Sequence, residues 1–227
     1  MTRASEPTAL VAAISGALAD WGQDDRALLG SIVNVARSIF GAAASSIFLL
    51  DQGAAELVFE AVSGEGEDFL VGTRFPADRG IAGWVAATGE PLTVDDLAAS
   101  TLFARDLAEG TRYVPSSIMA APVLHGAEVL GVLQVLDPHP QSRSSIADLD
   151  LLMMFAGQAG FSLRGLTRSR TAQEALRGAG AEFERLAEMV RLLAQMPADR
   201  RATGLKLVDS LQEVLSGLAA PSAATLW

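Results

Sequence analysis

The most constraining feature lies in mid-chain. Ile118 to Leu124 and Val129 to Leu136 are two apolar runs separated by His125-Gly126 and closed by Asp137-Pro138-His139-Pro140. Two runs joined by so short a connection can pair only as an antiparallel hairpin. A second hairpin precedes it. Ser45 to Leu50 ends in Asp51-Gln52-Gly53, and Glu56 to Ser63 then alternates, Leu57, Phe59 and Ala61 against Val58, Glu60 and Val62. Between the hairpins the signals are a short strand around Gly72 to Phe75 and a helix bracketed by Gly80 and Gly89. A strand over Pro91–Val94 comes next, then a loop or helical turn from Asp95-Asp96 through Phe103.

Helical periodicity takes over at both ends. Leu10, Val11, Ile14, Leu18 and Trp21 share one face, and Gly22 is expected to end that helix. A second helix carries Leu28, Leu29, Ile32, Val33, Ala36, Ile39 and Phe40 and stops at Gly41. At the other end Ser145-Ile146-Ala147-Asp148 resembles a capping box. The helix after it repeats Leu149, Leu152, Ala156, Ala159, Leu163 and Leu166 at steps of three and four. That seam loses phase near Ser169, and Gly165, Gly178 and Gly180 weaken the stretch. It resumes with Leu176, Ala179, Phe183, Leu186, Val190 and Leu193, ends at Pro197, and gives way to an amphipathic helix from about Asp199 to Leu218.

Charge divides the chain of 227 residues in the same place. Its 27 acidic and 17 basic side chains give a net charge of −10. Residues 1–163 hold 8 Arg against 20 Asp and Glu, whereas residues 164–227 hold 9 basic and 7 acidic side chains. The acidic balance argues against nucleic-acid or anionic-membrane binding. No apolar run approaches the ~18 residues of a membrane span, and residues 1–20 lack a signal peptide's apolar core, so a cytoplasmic protein is expected. The absence of cysteine excludes disulfides, thiolate metal sites and thiol chemistry in this chain.

The order of elements and several motifs together resemble a GAF domain. The resemblance rests on Ala44-Ser45-Ser46-Ile47-Phe48-Leu49-Leu50-Asp51 and on Gly80-Ile81-Ala82-Gly83-Trp84-Val85-Ala86-Ala87-Thr88-Gly89-Glu90-Pro91-Leu92. Asp96, Phe103, Ala121-Pro122-Val123, Gly131 to Leu136 and Ala147 to Leu152 extend it over about residues 25–165. It implies an α+β fold: a central antiparallel sheet of five to six strands, helices on both faces, and extended N- and C-terminal helices. It also implies cytosolic sensing or signalling, often as a dimer through flanking helices. The family's known ligands include cyclic nucleotides, haem, bilins, amino acids and oxoacids. Of the positions aligned with its cyclic-nucleotide signature (Asp137, Pro138, Ser144, Asp148 and Leu149), only Asp148 fits, which argues against a cyclic nucleotide bound in that way. A GAF-type free methionine sulfoxide reductase needs thiols and bilin attachment needs a cysteine; both are absent.

An internal resemblance concerns the tail. Leu28, Leu29, Ile32, Val35, Ala36 and Ile39 before Ser45 to Phe48 repeat at a constant offset as Leu207, Val208, Leu211, Val214, Leu215 and Leu218 before Ala224 to Trp227. Either the tail opens a second GAF domain or the match is chance amphipathicity. The expected organisation is an N-terminal helix over 1–24, a GAF domain over 25–165, a signalling or coiled-coil helix over 166–198 and a C-terminal helix over 199–227.

No catalytic constellation is present. His125 and His139 read as turn and loop residues without partners at metal-ligand spacing, Asp95-Asp96 reads as a cap, and Gly178-Ala179-Gly180 lies in a helical stretch with no preceding strand. Neither a catalytic residue nor a metal or cofactor is implied. The family's pocket would gather Phe75, Trp84, Phe103 and Tyr113 with Asp96, Arg105, Arg112, Ser117 and Met119. There Arg105 or Arg112 and Ser117 would hold an anionic or polar head group against Trp84. The competing reading makes Trp84 and Phe103 plain core and fills the face with Phe103 and Met119. Candidate dimer contacts are Leu18, Trp21, Leu163, Leu166, Leu176, Phe183, Leu186, Val190 and Leu193, in a parallel homodimer. The alternative partner is a kinase, phosphatase or transcription output domain. Two functions are weighed: a non-enzymatic sensor of an unknown small molecule, and a ligand-free dimerisation or scaffold module.

Overall fold

The computed structural model describes residues 6–139 and 147–195, with side chains over 14–139 and 147–178. Compactness divides the chain into Met1–Gln173 and Glu174–Trp227. Of the second unit, only residues 174–195 are described, and they are helical.

Six strands form one antiparallel sheet. Strands β1 (Ala44–Asp51) and β2 (Glu56–Gly64) make the first hairpin, and β5 (Ile118–His125) and β6 (Glu128–Leu136) the second. β1 also pairs with β6, which joins the hairpins, while the short strands β3 (Arg74–Pro76) and β4 (Leu92–Val94) close the edges in the order β3-β2-β1-β6-β5-β4. One close approach fixes the β1–β6 seam: a Cβ at Gly131 would lie 1.8 Å from the Phe48 carbonyl oxygen, so only glycine fits.

Strand alternation sends side chains into two cores. On one face Ile47, Met119, Ala121, Val123, Leu133 and Val135 meet α1 (Glu6–Phe40) and α4 (Asp148–Gln195). On the other, Phe48, Leu57, Phe59, Ile118, Ala120 and Val132 meet α2 (Gly80–Thr88). A bulge interrupts the alternation in β2. The register passes from Ile47 opposite Ala61 to Phe48 opposite Phe59, leaving Glu60 unopposed. Its carboxylate takes a two-pronged bond from Arg170 of α4, at 2.5 and 2.8 Å, and is 3% exposed.

The N-terminal segment departs from expectation. Gly22 does not end a helix; α1 is continuous for 35 residues. The reason is packing. Gly22 is buried against α4, where an added Cβ would lie 3.3 Å from Ser169 Oγ and 3.8 Å from Leu166 Cδ1. Close helix contact outweighs the ~1 kcal/mol propensity cost of a mid-helix glycine, and Ser169 Oγ donates to the Leu18 carbonyl across it at 2.5 Å. Gly41, left-handed at φ 57, then closes the helix, with the Ala42 amide on the Arg37 carbonyl.

The seam on α4 is core. Leu152, Ala156, Ala159, Leu163 and Leu166 are all fully buried against the domain's own sheet and α1. Each such leucine stabilises the domain by about 1.5–3 kcal/mol. Leu163 and Leu166 therefore have no surface to offer a second copy. The helix runs through Gly165, Ser169 and Gly178 without a break. Ser145, the helix over 199–218 and the repeated tail lie outside the described residues, and Phe183, Leu186, Val190 and Leu193 lie beyond the described side chains.

Candidate ligand-binding site

The α2 face of the sheet holds a cavity of about 290 Å³. Its floor is aromatic. The Phe48 ring lies 4.4 Å from Phe59 and 5.3 Å from Phe75, the latter edge-on, and Phe59 and Phe75 are 5.9 Å apart. These residues come from β1, β2 and β3, whose alternation points them to one side. Ile81 and Ala82 of α2, Ile118 of β5 and Leu136 of β6 add apolar wall. The far wall is the segment from Phe103 to Pro115, including α3 (Arg105–Gly110). The sequence carries no sign of α3 as a helix, since none of its six residues is buried and no apolar period exists to read.

The polar rim is made of Thr73, Arg74, Arg79, Asp106, Thr111 and Tyr113, with Gln134 from β6. Arg74 bridges Asp51 at 3.0 Å and Glu56 at 2.9 Å. Arg79 forks onto Asp106, Nη1 to Oδ2 at 3.0 Å and Nη2 to Oδ1 at 2.8 Å. The Arg74 hydrogen bond, aided by the Ala54 amide, holds Asp51 below the usual carboxylate range, and the Arg79 bond does the same for Asp106. Arg79 is also the cap position of α2, with extended backbone and no side-chain capping bond, so the first turn of α2 brings the positive end of its dipole to the cavity.

Behind the rim a single carboxylate organises the wall. Asp137 accepts the Tyr113 hydroxyl on Oδ2. On Oδ1 it accepts the Ser116 amide at 2.8 Å, the Ser116 hydroxyl at 2.6 Å and the Ser117 amide at 2.9 Å. Burial alone would raise its pKa, but these bonds outweigh burial and lower it. Tyr113 is pushed up to about 12, first by burial and then by the Asp137 bond.

Of the nine residues expected at a pocket, Phe75, Phe103 and Tyr113 line this one. Trp84 is half-buried and packs on the α2-side core. Asp96 caps its own loop, accepting the Ala98 amide at 3.0 Å and the Ala99 amide at 3.3 Å. Arg105 is exposed and pairs with Glu109, and Arg112 stacks 4.7 Å over the Phe69 ring. Ser117 is held by Asp137. Met119 lies in the core on the opposite face, because Ile118 and Ala120 already point to the cavity side. The sequence pattern did not reveal Phe48, Phe59, Arg74, Arg79, Asp106 or the role of Asp137. The signal for the last lay in the hairpin register: pairing Ile118 with Leu136 puts Ser117 beside Asp137.

The family model described as GAF domain matches residues 24–163, more than half of the chain, and the chain belongs to this family. It is 30% identical over 146 residues to a probable 3',5'-cyclic phosphodiesterase, pde-5, of Caenorhabditis elegans, covering 60% of this chain and 20% of that protein. It is 32% identical over 136 residues to a cone cGMP-specific 3',5'-cyclic phosphodiesterase subunit alpha' of Gallus gallus, covering 55% and 16%. The chain thus spans about a fifth of the curated relatives it matches. Among solved structures, the GAF domain of a phosphoenolpyruvate-protein phosphotransferase from Coxiella burnetii superposes with a TM-score of 0.57 at 17% identity, covering 71% of this chain and 96% of that one. At that identity the match speaks for the fold alone. GAF domains are small-molecule-binding regulatory modules, and among the described residues no helix is long and apolar enough to cross a membrane.

Proposed function

We propose that this chain is a non-enzymatic, cytoplasmic sensor module. A small molecule enters the cavity, and α1 and α4 relay its binding within a parallel homodimer to a kinase, phosphatase or transcription output. One observation carries the reading. The cavity, at about 290 Å³, is close to the ~300 Å³ lower bound of ligand sites and pairs an aromatic floor with a few polar groups at the rim. The related phosphodiesterases make cyclic GMP a first ligand to try, although Asp137, Pro138, Ser144 and Leu149 depart from the signature that would hold it. The absence of cysteine argues against thiol-dependent reductase chemistry. Within this reading, residues 166–198 are a signalling helix and residues 199–227 open a further GAF domain.

Native mass spectrometry of the purified chain and a thermal-shift screen test the proposal. A co-purifying small molecule, or a compound that raises Tm, is expected. Ala108→Trp, placed on the exposed α3 wall, should abolish the shift without unfolding the domain. A wild-type chain that carries nothing and responds to nothing would leave the ligand-free scaffold as the function.

A further inference from the structure

Resting on the sensor reading, we propose that Asp106 occupies the place on Arg79 that a ligand's carboxylate takes, so that the cavity admits a carboxylate with an aromatic or aliphatic body, which displaces Asp106 and releases α3. The two-pronged bond at 2.8 and 3.0 Å shows that the Arg79 fork is already set for a planar carboxylate. Arg79 and Asp106 both line the cavity, beside the first turn of α2. A ligand carboxylate on the same fork would therefore also meet the positive end of a nine-residue helix whose cap residue makes no side-chain capping bond. The three clustered phenylalanines supply the surface for its apolar body.

The resident pair is easily displaced. Arg79 is 44% exposed and Asp106 63%, and exposed pairs add little to stability. The two hydrogen bonds between Asp106 and Arg79 are, among the described residues, the side-chain hydrogen bonds that tie α3 to the start of α2. The Arg105–Glu109 pair lies within α3, and no residue of α3 is buried. Arg74, the other rim arginine, already faces two carboxylates, Asp51 and Glu56, and has no charge to spare for a third. A ligand that prefers the α3-released state shifts the population by its differential affinity, which makes Arg79 the residue that selects anions and Asp106 its built-in competitor.

The test uses the full chain with phenylacetate and indole-3-acetate as probes and phenylacetamide as the neutral control, with binding measured by calorimetry. Asp106→Ala should bind the two carboxylates about three- to fivefold more tightly and phenylacetamide no differently. Arg79→Gln should bind phenylacetate and phenylacetamide alike. In the wild type, phenylacetate should speed amide exchange over residues 105–111. Equal carboxylate affinity in wild type and Asp106→Ala, or an anion preference that survives Arg79→Gln, overturns the inference. If the amide binds all three proteins as tightly as the acid, the inference fails while the sensor reading stands. Should no probe bind and no ligand co-purify, both fail.

Discussion

At the scale of single residues, the wall behind the cavity depends on how one carboxylate shares its oxygens. Tyr113 is the sole tyrosine of the chain, so its phenolate absorbance reports this site without interference from another. Its midpoint should lie near 12 in the folded protein and fall toward 10 in Asp137→Asn. The sign comes from linkage. Folding raises the tyrosine pKa, so the stabilisation is complete below pH 10 and disappears as pH climbs from 10 to about 12. Asp137 behaves in the opposite sense, because its pKa is lowered. Its contribution is present above the ordinary carboxylate range and is lost in acid. A wild-type midpoint at the ordinary phenol value would show that the hydroxyl is neither buried nor bonded to Asp137 in solution. Phe75, Phe103 and Tyr113 were expected at a pocket through the family resemblance, and they line the cavity. Met119 was misplaced because one face of β5 was counted for the other. Arg79 was passed over, since an arginine before a glycine carries no periodic signal.

At the scale of elements, the hairpins and the helix at Gly80 were legible because each has its own period and its own breaker. Two elements were not. A break at Gly22 is the local preference, overruled by the contact with Ser169. α3 has no buried residue from which a period could be read. The β2 bulge lay beyond local patterns altogether, since it depends on a register with β1. Its buried carboxylate sets a clear energetic expectation. Arg170→Ala leaves Glu60 unpaired under α4 and should cost about 2–4 kcal/mol in chemical denaturation, somewhat discounted for the arginine's partial exposure. The double variant Glu60→Leu with Arg170→Leu should recover most of that loss, because an apolar pair of similar size removes the stranded charge. A single variant as stable as wild type would mean that water already reaches the carboxylate.

At the scale of the molecule, α1 carries two apolar stripes rather than the one that its periodicity suggested. Leu29, Ile32, Val33, Ala36 and Phe40 face the sheet. Ile14, Trp21, Leu28 and Val35, each seven residues from the next, lie 40–64% exposed. The two stripes overlap in sequence, so helical spacing alone could not separate them. A seven-residue repeat of exposed apolar side chains fits a second helix of the same kind. Light scattering at tens of micromolar should therefore find a dimer, and Trp21→Glu combined with Leu28→Glu should give a folded monomer. A wild-type monomer would remove the proposed relay between copies.

The unopposed residue in β2 has a mechanical meaning. Phe59 is floor to the cavity, and the very next residue, Glu60, is bound on the reverse side to a guanidinium near the end of the first compact unit at Gln173. One peptide bond thus separates the surface a guest would press from the grip on α4. Rotation of the ring alone would leave that grip untouched, whereas a guest that displaces the β2 backbone at Phe59 would carry the Glu60 carboxylate with it.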